Sequence, residues 1–210
     1  MPLRKYVPVE DLARSYFHDD FAGSTYDTRA WTAYLSTGST LTHVTGSDIG
    51  GQLRVRATGA AARYTGIQGA GLGFSVAKKF SIVWRAKLLS LTAARMSLGL
   101  RGTADTERCN WQYDSPRGIY FYTQSVTGGV ATQIDSDVVA DTNFHEFRIV
   151  GSSATGTPKL NFFIDGVSKI VIDTNVPTTD LGMWLRSYTE AASSADVYVD
   201  WVEAFGDRVT

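Results

Sequence analysis

The sequence predicts an all-β fold, antiparallel throughout, and three observations carry that prediction. Residues 143–174 (NFHEFRIVGSSATGTPKLNFFIDGVSKIVIDT) read as three short strands in succession, Phe144–Val150, Lys159–Ile164 and Val167–Ile172. Asp165-Gly166 joins the last two, and a tight hairpin turn needs the positive φ that glycine accepts freely. In the first strand His145, Phe147 and Ile149 alternate with Glu146 and Arg148, the period of two expected of a sheet with one wet side. No helical period of comparable length competes with this pattern elsewhere in the chain.

From the N-terminus, residues 1–16 carry Pro2, Pro8 and the mixed-charge run Glu10-Asp11-Leu12-Ala13-Arg14, with room for one helical turn. Such a terminus either frays or serves as an arm that docks on a neighbouring subunit. Phe17–Phe21 is the first expected strand, with Trp31–Leu35 and His43–Thr45 following around a Ser-Thr-Gly-Ser loop. Gly50-Gly51 launches Gln52–Thr58, in which Leu53, Val55 and Ala57 alternate with Arg54 and Arg56. Ala62–Thr65 is a short pairing segment, and Gly66–Gly73 (GIQGAGLG) reads as a loop. That loop lacks the lysine and Ser/Thr of a phosphate cradle, and Phe74–Ala77 and a strand follow it where a nucleotide site needs a helix.

Phe80–Leu88 sets Phe80, Ile82 and Trp84 against Ser81, Val83 and Arg85, so the former belong to a core, as does Trp201 from its polar neighbours. Met96–Arg101, Trp111–Tyr113, Ile119–Gln124, Val130–Ile134, Leu181–Tyr188 and Asp196–Phe205 complete the expected strands. Short strands with turn signals about every 8–12 residues mean a sandwich or barrel. With no internal repeat or linker, the 210 residues divide into an arm, 1–16, and one domain, 17–210.

Composition narrows the partners. A hydrophobic fraction of 43% with 12% aromatics is that of a globular chain, long enough to bury its own core. A net charge of −1 with interspersed signs gives no footprint for nucleic acid or an anionic membrane. Cys109 is the single cysteine, so no internal disulfide forms, and no partner motif marks it as reactive. The basic N-terminus has no apolar run behind it, and no stretch reaches the length of a membrane span. The expectation is a chain made in a cytoplasm and not exported by the ordinary route.

The Asn-Phe-His-Glu-Phe-Arg-Ile strand (143–149), the Phe-Phe-Ile-Asp-Gly-Val hairpin (162–167) and the closing Val-Tyr-Val-Asp-Trp-Val-Glu strand (197–203) resemble the concanavalin A-like lectin/glucanase superfamily. So do the opening Asp-Asp-Phe (19–21) and Asp-Thr-Arg-Ala-Trp (27–31), and together these segments span residues 18 to 206. The resemblance implies a laminarinase-like jelly-roll sandwich of two packed antiparallel sheets, with the first and last strands as neighbours. It does not fix function, because the superfamily holds glycosidases, lyases, lectins, adhesion domains and phage structural proteins.

Glycoside hydrolysis needs two opposed carboxyl groups, about 5–5.5 Å apart for retention or about 6.5–9.5 Å for inversion. The superfamily's glucanases set them on one strand as Glu-x-Asp-x-x-Glu or one residue shorter. None of the five glutamates, Glu10, Glu107, Glu146, Glu190 and Glu203, has Asp at +2 and Glu at +4 or +5. Glu107 comes nearest in setting and lacks a second acid. The lyase signatures of Gln/His and Tyr are missing, there is no nucleophile elbow, and His18, His43 and His145 are scattered without zinc spacing. The expectation is therefore a chain that is not an enzyme and requires no cofactor.

The resemblance also implies a structural calcium near the first and last strands, where Asp19, Asp20 and Asp200 supply hard oxygen ligands. It places a ligand cleft on one sheet, where rings can meet the apolar faces of sugars. Trp111, Tyr113, Tyr120, Tyr122, Trp184 and Arg186 are the candidates in central strands, with Arg101 and Arg117 at loop ends. For Trp111 and Tyr122, core and site stay open, since aromatics fall on both faces of their strands.

Three functions follow. One is a structural or surface protein of an assembled particle, such as a phage virion decoration, fibre or tail component, oligomeric through residues 1–16. Another is a carbohydrate-binding module or lectin, which overlaps the first. The third is a divergent glycoside hydrolase or lyase.

Overall fold

The computed structural model describes residues 14–22, 25–44, 51–59, 63–69, 73–152, 156–189 and 193–207. In chain order the strands are β1 (Arg14–Asp19), β2 (Trp31–Leu35), β3 (Thr40–Val44), β4 (Gln52–Gly59), β5 (Tyr64–Gly69), β6 (Phe80–Leu88), β7 (Ala94–Arg101) and β8 (Arg108–Asp114). They continue as β9 (Tyr120–Thr127), β10 (Val130–Val139), β11 (His145–Ser152), β12 (Lys159–Ile164), β13 (Val167–Ile172), β14 (Gly182–Thr189) and β15 (Ser193–Asp207).

Two antiparallel sheets result, as the sequence leads one to expect. One has eight strands in the order β13-β12-β11-β6-β15-β4-β3, with β1 added against β15. The other has seven, in the order β10-β9-β8-β7-β14-β5-β2. The first and last strands are neighbours, with Arg14 opposite Asp207 and Asp19 opposite Val202. Asp165 (φ 51°) and Gly166 (φ 77°) make the turn between β12 and β13 with positive φ at both positions, as the hairpin signal requires.

The core is the seam between the sheets. Phe80, Ile82, Trp84, Ala86 and Leu88 of β6 all point into it. Trp84 meets Trp31 of the other sheet at 5.9 Å between ring centroids, and Trp111 of β8 meets Phe162 of β12 edge-on at 5.6 Å. Each such fully buried side chain contributes about 1.5–3 kcal/mol of transfer free energy.

Three sequence expectations are corrected. Trp201 is not core: the register slips between Val199 and Trp201, and the extra residue, Asp200, reverses the alternation. Val197 and Val199 face inward before the bulge and Val202 and Ala204 after it, leaving Trp201 half-buried on the outside near the His18 ring. The glycine-rich stretch is strand as far as Gly69, because β5 pairs with both β14 and β2. Gly66 is needed there: the Tyr34 hydroxyl crosses it to donate to the Leu185 carbonyl, and a Cβ would sit 2.2 Å from both oxygens. The first strand begins at Arg14 and not at Phe17, so the last three residues of the expected arm are paired in a sheet. Residues 1–13 lie outside the described residues.

Candidate functional site

On β8 the apolar residues Cys109, Trp111 and Tyr113 point into the seam, which turns Arg108, Asn110, Gln112 and Asp114 onto the outer face of the seven-stranded sheet. On β7, Met96, Leu98 and Leu100 point inward, so Arg95, Ser97, Gly99 and Arg101 share that outer face. Pairing then builds rows across it. Arg186 stands beside Ser97, Ser97 beside Gln112, Gln112 beside Tyr122, and Tyr122 beside Asp135. In the adjacent row Trp184, Gly99, Asn110 and Gln124 follow one another.

Amides knit one half of this face. Gln112 Nε2 donates to Gln124 Oε1 at 2.8 Å, and Arg108 Nε donates to the same oxygen at 2.9 Å. The Tyr122 hydroxyl donates to Gln112 Oε1. Burial first, and then the charge of Asp114, push the Tyr122 phenol up to about 12, so it stays protonated and donates. Arg117 lies over the Tyr122 ring with its guanidinium carbon 4.2 Å from the centroid.

Arginines dominate the other half. Trp184 is fully buried beneath Arg186, 4.9 Å from its ring centroid, and Arg101, 5.7 Å from it. Arg95 lies over Tyr188 at 4.9 Å. The outermost layer above these rings is therefore guanidinium. Burial lowers the pKa of Arg186 and of Arg108, and repulsion from neighbouring guanidiniums adds to it in both cases.

Each acid described on this face is engaged, although Asp114 Oδ1 is left without a partner. Asp114 pairs with Arg95 at 2.6 Å, Asp105 with Arg101 at 2.7 Å and Asp135 with Arg117 at 3.0 Å. Glu107, just before β8, accepts from Thr127 Oγ1 (2.9 Å), the Gly128 amide (2.7 Å) and the Thr178 amide (3.0 Å). Burial works to raise its pKa, but these hydrogen bonds outweigh it and leave Glu107 below the usual glutamate value. A carboxyl so held is poorly suited to protonating a leaving group.

The sequence candidates thus separate. Tyr122 with Arg117, and Trp184 with Arg101 and Arg186, meet on the outer face, and Tyr120 shares the side of β9 that carries Tyr122. Trp111 and Tyr113 do not line it. The Trp111 indole donates to the Arg148 carbonyl of the opposite sheet at 3.2 Å, and the Tyr113 hydroxyl donates to the Leu91 carbonyl, so both are core. Arg95, Ser97, Arg108, Asn110, Gln112 and Gln124 escaped the sequence reading, although Arg-x-Asn-x-Gln-x-Asp over 108–114 is a legible polar alternation.

The implied calcium ligands do not converge. Asp19 accepts from the Phe21 amide (2.9 Å) and the Trp31 indole (2.7 Å), Asp20 accepts from the Ala22 amide, and Asp200 pairs with Arg85. Among the described residues no group of three acid, histidine or cysteine side chains is placed to hold a metal ion.

No family model and no curated protein matches the chain. Solved structures do. An endo-1,3-β-glucanase from Streptomyces sioyaensis superposes with a TM-score of 0.69 at 12% identity, covering 97% of this chain and 100% of that one. A β-1,3-glucanase from Mycobacterium marinum gives 0.67 at 15%, covering 90% and 97%. An immunostimulatory antigen and pseudo β-1,3-glucanase of Mycobacterium tuberculosis gives 0.66 at 15%, covering 91% and 98%. At these identities the likeness is one of fold, the glucanase-type jelly-roll sandwich.

Proposed function

We propose that this chain is a non-hydrolytic carbohydrate-binding β-sandwich that presents the outer face of its seven-stranded sheet to a glycan. One observation carries the reading. Where hydrolysis needs two opposed acids, β8 offers Asn110 and Gln112, and Asp105, Asp114 (through Oδ2 alone) and Asp135 are each paired with an arginine. Amides and guanidiniums at the bottom of a polar face suit the orientation of hydroxyl groups, not their cleavage. The fold neighbours support the reading in kind, since they include proteins described as glucanases and one described as a pseudo-glucanase. The test is a glycan-binding screen run beside reducing-end release from laminarin and related polymers. Binding without turnover is the expected result, and turnover above a heat-killed control overturns the reading.

A second reading, subunit of an assembled particle such as a virion, is favoured by apolar residues exposed on two edge strands. Val130 (60% exposed) and Val139 (54%) lie on β10, and Val167 (56%) and Val171 (55%) on β13. Copies meeting there or through the N-terminal arm give an oligomer. Light scattering on the full chain and on a variant lacking residues 1–13 tests it, and a monomer in both overturns it.

A further inference from the structure

We infer that the glycan bound on the outer face of the seven-stranded sheet is anionic, an oligosaccharide bearing carboxylate or sulfate groups. This rests on the carbohydrate-binding reading above and names the ligand's chemistry. Three observations point the same way.

First, the rings in the middle of the face are covered, and among the described residues exposed rings remain only towards its ends, at Tyr120 and Tyr64. Trp184 has no exposed surface and lies beneath Arg101 and Arg186, while Tyr122, 3% exposed, lies beneath Arg117. A ligand arriving from solvent meets guanidinium edges, whose forked N–H donors match carboxylate and sulfate oxygens. Arg186 lies over the indole with no carboxylate on its fork, whereas Arg101 shares its donors with Asp105 and Arg117 with Asp135 and Gln133.

Second, the charge is unbalanced. Arg95, Arg101, Arg108, Arg117 and Arg186 share the face with Asp105, Asp114, Asp135 and, at its edge, Glu107, an excess of one cation among its described residues. Arg186 is the uncompensated one. Its Nε is buried without a hydrogen-bond partner, and no carboxylate lies within ion-pair distance among the described residues. A half-buried guanidinium that shares only the more distant charge of Asp105, itself paired with Arg101, is costly to the fold, and an anionic ligand would lower that cost.

Third, hydrogen-bonding capacity is left open next to that cation. Ser97 is the cross-strand partner of Arg186, is 1% exposed, and its Oγ has no partner. Asn110, fully buried and one row along, has an unpartnered Oδ1. Between Asn110 and Trp184 lies Gly99, which contributes no side chain. When the long arginine side chains swing outward to grip an acid group, these atoms become available to the hydroxyls of the same sugar.

The test is titration calorimetry with tetrasaccharides at about 50 and about 200 mM salt, where screening separates charge-driven from neutral binding. The ligands are oligogalacturonate, a sulfated tetrasaccharide and neutral laminaritetraose, with polyglutamate as a non-sugar anion. The expected result is that one acidic sugar binds and the neutral one does not. Binding should weaken with salt and fall about ten- to hundredfold in Arg186→Gln. Arg101→Gln repeats the test if Arg186→Gln fails to fold. Lys159→Gln on the other sheet should leave affinity unchanged. Preference for the uronate identifies carboxylate as the group, and preference for the sulfated sugar identifies sulfate. If laminaritetraose binds as well, unaffected by salt or by Arg186→Gln, the charge inference is overturned and the carbohydrate reading stands. Equal binding of polyglutamate overturns the inference as a mere charge effect. If no sugar binds, both fall.

Discussion

The Trp31 indole donates its N–H to Asp19 Oδ2 across 2.7 Å, joining the last residue of β1 in one sheet to the first residue of β2 in the other. The second oxygen of the same carboxylate accepts from the Phe21 amide, which fixes the turn between them. Trp31 is 1% exposed, so its N–H has no water to fall back on. The opening Asp-Asp-Phe and the later Trp are therefore a latch across the mouth of the sandwich. Asp19→Ala should destabilise the fold by about 1–3 kcal/mol, the cost of an unsatisfied buried donor and a lost turn bond. Urea unfolding measures it, and a midpoint within error of the parent would refute the latch.

Glu107 is expected to act through loops and not through chemistry. Its two oxygens tie the turn at Gly128 to the segment at Thr178, on either side of β8. Because the folded state holds its pKa below the ordinary glutamate value near about 4.3, this contribution is present above that value and is lost as pH falls through the depressed one. Glu107→Gln should lower the melting temperature at neutral pH by an amount that shrinks towards pH 3. A constant difference across that range would count against the assignment.

His145 carries the opposite sign. Its ring sits between Asp165 Oδ2 (2.6 Å from Nδ1) and Asp141 Oδ1 (3.0 Å from Nε2), so both nitrogens donate only when the imidazole is charged. Burial opposes that charge, yet the hydrogen bonds and charges of the two aspartates raise its pKa above the ordinary value. A raised pKa stabilises fully below the unfolded value of about 6.5 and fades as pH rises through the folded one. The stability gap between parent and His145→Gln should accordingly be wide at pH 6 and narrow at pH 9. Chemical unfolding at both values decides it: an equal gap would mean the ring is neutral throughout.

Local signals made the sheets legible, and non-local ones hid the site. The Asp165-Gly166 turn and the alternation of β6 and β11 are short-range facts, and the structure contains both. The direction of Trp111 was lost because the strand was expected to span only Trp111–Tyr113. Over the full Arg108–Asp114, Cys/Trp/Tyr alternate with Arg/Asn/Gln/Asp and the inward side is plain. Trp201 was misplaced for a different reason, since nothing in Val-Asp-Trp announces the bulge whose extra residue, Asp200, pairs with Arg85. The guanidiniums above Trp184 were also out of reach, because Arg101 reaches that ring only once β7 pairs with β14, more than eighty residues later. Aromatic content suggested a stacking platform, and the pairing of distant strands covers its central rings, Trp184 and Tyr122, with guanidiniums.

Cys109 offers a readout that links these effects. Its side chain is fully buried on the core side of β8, and burial pushes its thiol pKa well above the ordinary value, so the native protein presents almost no thiolate. Labelling by an aromatic disulfide reagent must then wait for β8 to leave the seam. The expected rate is at least about a thousandfold below that of the chain in denaturant, following the fraction unfolded when refolding outpaces modification. Because about 1.4 kcal/mol is a factor of ten in that fraction, Asp19→Ala should speed labelling by about five- to a hundredfold, matching its loss of stability by urea. If labelling proves fast in the parent, or indifferent to Asp19→Ala, then β8 opens locally, and the sheet that carries the arginine face is looser than its buried tryptophans imply.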